Sequence, residues 1–157
     1  MKNRLQAALS AAMLYCSIFS VAQQSSIPLN EPDYNKPLLF SNLPDRIPVN
    51  IENLSRAIDF NIGSIVNLLV SDTYQLQVDG IVTSTASKYN NSLQSVVIKS
   101  TNYNGAAFTI NKITDANGLV SFTARFISMQ HGDLYELVSD SSRYVFIKRK
   151  FYDLINE

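Results

Sequence analysis

The stretch "QHGDLYELVSDSSRYVFIKRK" carries the side chains of this chain with most chemical promise. His131 is the one histidine, and Asp133 and Glu136 follow it closely. A histidine oriented by a carboxylate can act as a general base on a nucleophile within hydrogen-bond reach. Two carboxylates held across a groove can cleave a glycosidic bond. On a strand, His131 and Asp133 would share a face; in a turn their spacing says little. No G-x-S-x-G elbow offers a serine to such a base. The plainer reading of "HGD" is a tight turn. Gly132 would take positive φ and Asp133 would accept turn amides. The turn is the expectation, and no catalytic residue is assigned. Asp133 with Glu136, and Asp140 with Asp153, are expected as solvated acids.

Lys148, Arg149 and Lys150 form a basic cluster flanked by Phe146, Phe151 and Tyr152. Bases can stack on such aromatics. Against that, the cluster is only three residues long. The expectation is a final strand whose lysines guard a sheet edge, with contact to an acidic partner or polysaccharide as a second role for Lys148 and Lys150. Binding residues are thus weakly marked: His131, Asp133, Glu136, Lys148 and Lys150.

Metal and cofactor chemistry finds little to use. There is no H-E-x-x-H and no complete EF-hand loop. "ITDANG" begins like a calcium loop but lacks the later acid, and Asn-Gly marks a hairpin. "NYNGAAF" has one glycine and no helix after it, unlike a phosphate loop. No cofactor and no metal site are expected. Asn53 and Asn90 open sequons, which are inert in a bacterial setting.

These residues must be positioned by elements, and the chain divides clearly. "MKNR" followed by "LQAALSAAMLYCSIFSV" has the layout of a secretory signal peptide over residues 1–22, with Ser20 and Ala22 before the cut. Its apolar part is shorter than the roughly 20 residues a membrane span needs. Cys16 lies inside it, after a bulky Tyr15, so neither lipidation nor a mature thiol is expected. Export to a bacterial periplasm or the cell exterior follows as an expectation. Without Lys2 and Arg4, 13 basic residues become 11 against 13 acidic ones, a net charge of −2. Nothing there drives nucleic-acid binding.

Residues 23–48 hold all five prolines and read as an extended leader, with "KPLLF" apolar enough to dock onto the body. Residues 49–157 read as one β-rich domain. Asn50 can cap a short helix carrying Ile51, Leu54 and Ile58, with a strand as the alternative. A two-residue period then takes over. Val66, Leu68 and Val70 share a face, as do Tyr74, Leu76 and Val78, and Val120, Phe122, Ala124 and Phe126. Gly80 is read as a bulge that breaks the phase. "DLYELV" and "RYVFIK" are apolar on both faces, as central or leader-covered strands would be. "TDANG", "TNYNG" and "SDSS" read as turns, and "SKYNNS" as an exposed loop. The fold class is therefore all-β. The expectation is an antiparallel meander of about seven to eight strands, closed into a small barrel or folded into a sandwich.

The order "GSIVNLLV", "YQLQVDGIV", "SVVIKS", "AFTI", "VSFTARFIS", "DLYELV", over about residues 63–148, resembles the β-meander in N-terminal pro-segments of secreted bacterial metalloproteases. Ala124 stands where that pattern has glycine, and no protease domain is expected after "YDLINE". The resemblance implies a stand-alone β-module that binds a protease or another exported protein. It carries over no catalytic or zinc-binding residue. The functional expectation is a non-enzymatic exported module for a protein partner or surface polymer. The alternative is a small hydrolase using the acids near His131.

Overall fold

The computed structural model describes residues 35–140 and 143–154. The expected signal peptide, and the part of the leader before residue 35, lie outside the described residues. The remainder is built on one eight-stranded antiparallel sheet that curls into a half-barrel. Seven strands follow one another as neighbours: β2 (Ile65–Ser71), β3 (Leu76–Lys88), β4 (Leu93–Ser100), β5 (Ala107–Thr114), β6 (Val120–Ile127), β7 (Asp133–Asp140) and β8 (Arg143–Lys150). A three-residue strand, β1 (Arg46–Pro48), joins the far side against β8. The helix α1 (Ile51–Ala57) links β1 to β2, and a 3-10 turn (Phe151–Leu154) ends the described chain.

The alternating pattern explains which face is buried. Val66 and Leu68, Val78 and Val82, Val96 and Ile98, Phe108 and Ile110, Ala124 and Phe126, and Tyr135 and Leu137 all turn to the concave side. α1 lays Leu54, Ala57 and Ile58 on that core. Its start is capped as the sequence suggests: the Asn50 side chain accepts from the N–H groups of Glu52 and Asn53. Helix and cap also close part of the open edge of β2. Asn50 N–H donates to the Val70 carbonyl at 2.9 Å, and Asn53 Nδ2 to the Leu69 carbonyl at 2.7 Å. Asn53, the first sequon asparagine, is therefore buried.

The turns follow their chemistry. Asp115 Oδ1 accepts from Asn117 and Leu119, and Gly118 takes φ of 81° in the β5–β6 hairpin. Asn104 and Gly105 have positive φ between β4 and β5, and Tyr89, Asn90 and Asn91 do so between β3 and β4.

Three expectations change. The sheet is continuous, so the sandwich is replaced by the half-barrel. Tyr74 precedes β3 and is exposed, because the strand begins at Leu76. Gly80 does not break the phase: Leu76, Val78, Gly80 and Val82 are buried in strict alternation, and the register shifts after Val82 instead. The physical reason for glycine there is contact. A Cβ on Gly80 would stand 2.4 Å from the Lys99 carbonyl oxygen and 2.8 Å from Ile98 Cγ2. The described leader residues, 36–48, lie against the body, with Phe40 buried in the core. They form β1 and a clasp that fills one end of the core.

Candidate functional site

The clasp uses two of the residues that the sequence marks for chemistry, Asp133 and Lys148. Asp133 is buried, and its two carboxylate oxygens accept the N–H groups of Leu39 at 2.6 Å and Phe40 at 2.9 Å. Those amides belong to "KPLLF", which has no ladder partner of its own, so the carboxylate replaces a missing strand. Phe40 then enters an aromatic cluster. Its ring lies 5.0 Å from both Phe126 and Tyr135, and 5.7 Å from Tyr103. Burying one such side chain contributes about 1.5–3 kcal/mol.

Tyr135 continues the clasp by donating its hydroxyl to the Pro44 carbonyl. Burial pushes its pKa well up, with the charges of Asp45 and Asp133 adding in the same direction. Lys148, the inward neighbour of Tyr135, donates to the Leu43 carbonyl and lies 3.5 Å from an Asp45 oxygen. Asp133, Tyr135 and Lys148 thus hold residues 39–45 in place.

His131 is buried in the β6–β7 connection, just after the turn at Met129 and Gln130, with Nδ1 2.8 Å from Ser128 Oγ. Gly132 does not take positive φ. It is glycine because Lys36 crosses it: a Cβ would lie 3.0 Å from the Lys36 carbonyl, and Gly132 N–H donates to Pro37 O at 2.9 Å. Asp133 serves these leader residues rather than its own turn.

Glu136 lies three residues on and therefore faces the opposite side of the sheet. It takes Arg125 Nη2 at 2.8 Å and stands 3.9 Å from Arg149 Nε. The structure thus does not bring Asp133 and Glu136 together as a carboxylate pair. Lys150 lies over the Tyr152 ring, 5.4 Å from its centroid, and a hydrogen bond to that side chain raises its pKa. The basic cluster does not guard an edge, because β1 covers β8 and Lys148 N–H donates to the Asp45 carbonyl. The edges are β1, blunted by its length and Pro48, and β2.

A different place on the molecule is open. β5 pairs with all eight residues of β6, and β8 with all eight of β7. Between β6 and β7 the register runs only through Ile127–Leu134, Phe126–Tyr135 and Arg125–Glu136. Beyond Arg125–Glu136 the two strands part. A groove of about 550 Å³ lies there, with Thr109, Asn111, Thr123 and Arg125 on its convex wall and Ala124 and Leu137 deeper. Asn111 Nδ2 donates to Thr123 Oγ1 at 3.0 Å, and Glu136 closes the inner end with Arg125. Tyr144 bridges the parting from the concave side, accepting the Phe122 N–H at 3.2 Å. Sequence periodicity describes each strand alone and carries no signal for where two strands stop pairing.

Among the described residues no cluster of histidine, cysteine or acids is arranged to hold a metal ion, and no helix is long and apolar enough to cross a membrane. Compared with protein-family models, curated proteins and solved structures, the chain matches none of them.

Proposed function

We propose that this chain is an exported, non-enzymatic β-module that binds a partner protein through its convex face. One observation carries the reading. Asp133 is occupied in holding the chain's own leader, Glu136 in holding Arg125 and Arg149, and His131 in a contact with Ser128, while the parted β6 and β7 leave an open groove. Asp133 has both oxygens on leader amides, and Lys148 is turned to the leader's carbonyls. The groove offers hydroxyls, an amide and an arginine on a rigid sheet, which suits recognition without bond breaking. The meander's likeness to protease pro-segments, and the signal-like first 22 residues, favour an exported protein over a polysaccharide.

The test is a pulldown of the tagged chain from the exported fraction, run beside hydrolase assays of wild type and His131→Ala. The reading expects one stoichiometric protein and no activity that depends on His131. A hydrolytic activity abolished by His131→Ala, with the fold intact, would overturn it.

A further inference from the structure

One edge of the sheet keeps backbone groups without a partner among the described residues. β2 bonds to β3 on one side and ends the strand order on the other. Amide direction alternates along a strand. Val82 N–H donates to the Ser64 carbonyl, so even-numbered residues at the start of β2 turn their backbone to β3. On β3, Asp79 N–H goes to the Asn102 side chain and its carbonyl accepts the Thr101 N–H. Odd-numbered residues there face β4, which leaves Val78 and Gly80 for Leu68 and Val66. Ile65, Asn67 and Leu69 therefore point their backbone outward. The Leu69 carbonyl marks that side independently, because Asn53 Nδ2 reaches it from outside at 2.7 Å. Among the described residues nothing bonds the outward N–H and C=O groups of Ile65 and Asn67. The Ile65 side chain is 87% exposed, and Ile81, opposite it on β3, is 42% exposed.

Free strand edges are templates for another strand, and proteins ordinarily blunt them with charge, proline or brevity. β1 is blunted in this way, by Pro48 and by its length of 3 residues. β2 is not: from Phe60 to Ser71 the chain carries no Asp, Glu, Lys, Arg or Pro. We propose that this edge pairs with the same edge of a second copy of the chain, antiparallel, about a twofold axis at Val66. Ile65 then lies opposite Asn67 of the partner subunit, and Asn67 opposite Ile65 of the partner subunit. Each pair exchanges N–H and C=O groups, so every free group is used and none is left over. A second copy fits this short edge better than a longer foreign strand. Next along, Asn53 closes the Leu69 carbonyl, and an incoming strand must turn away there. At that point the second copy has reached its own Gly63, a residue with φ of 83° whose N–H bonds back to Val82. On the convex face the two Ile65 side chains become diagonal neighbours, each flanked by Ile81, in one apolar band. No charge of β2 meets its like across the joint.

The experiment combines sedimentation velocity with amide exchange on the full chain, from about 10 µM to about 1 mM, the range of a short interface. A reversible dimer is expected, with the Ile65 and Asn67 amides roughly tenfold better protected at the top of the range. Asn67→Pro removes an outward donor that the monomer does not use, and Ile65→Lys sets like charges against each other. Each should leave a folded monomer. Leu119→Lys, a similar change at an exposed site away from the edge, should dimerise as the wild type does. A monomer throughout the range would overturn the proposal. So would a dimer that Asn67→Pro and Ile65→Lys leave intact, or one that Leu119→Lys removes as well. Should neither edge variant fold, exchange in the wild type decides alone: protection that rises with concentration elsewhere, but not at Ile65 and Asn67, overturns it.

Discussion

Tyr144, on β8, holds Phe122, on β6, through a hydrogen bond of 3.2 Å from the Phe122 backbone N–H to the tyrosine hydroxyl. β7 lies between those two strands in the sheet order. The bond therefore spans a parting that a ladder would otherwise fill. The two rings meet edge to face, 6.1 Å apart, beneath it. The open groove is thus braced from the concave side, and the sheet keeps its shape with β6 and β7 apart.

Tyr144→Phe keeps the ring and removes the acceptor. It should cost about 1 kcal/mol. The Phe122 amide should also exchange faster with solvent while amides of β4 and β5 keep their protection. Urea denaturation and amide exchange measure the two effects.

Asp133→Asn tests the clasp. A carboxylate gives both leader amides an acceptor, whereas a carboxamide turns one donor toward a donor. A loss of about 2–3 kcal/mol is expected, with faster proteolysis within residues 36–45. Equal stability of wild type and variant would show that the clasp does not hold the leader.

Gly80→Ala places a methyl group into the Lys99 carbonyl and Ile98. A loss of about 2–3 kcal/mol is expected from urea denaturation, because the contact is with backbone of the neighbouring strand and cannot swing aside.

Stability should fall at high pH. The Tyr135 pKa is raised in the fold, by burial first, and Tyr103 is raised by burial and Asp79. A group with a raised folded pKa leaves its stability intact below the unfolded value, near 10, and loses it as pH climbs above that. Between about pH 10 and 11 the denaturation midpoint should drop, and Tyr135→Phe should flatten the drop. A flat profile in the wild type would contradict this.

The strands and the capped helix were legible because their signals are local. Val120 to Phe126 alternates whether or not β7 is beside it, and Asn50 caps α1 through the next three residues. The clasp was not legible, because Asp133 and Leu39 meet across 94 positions. "HGD" looks like a turn, but the turn lies one step earlier, at Met129 and Gln130, closed by the His131 N–H on the Ser128 carbonyl, and Asp133 already opens β7. Gly132 and Asp133 are set by Lys36, Leu39 and Phe40, which local turn chemistry cannot reveal. Gly80 misled for a similar reason: glycine marks both bulges and close approach, and only the neighbouring strand decides between them. The groove was hidden because it arises from pairing that stops.

The most direct test of the convex face as the binding site is site-specific photo-crosslinking in the producing cells. A photoreactive residue replaces Thr123 in the groove or, as a control, Tyr89, which is 78% exposed on the β3–β4 hairpin. The account predicts one protein adduct of defined mass from position 123, lost with Arg125→Glu, and none from position 89. No adduct from position 123, or the same adducts from both positions, would contradict it.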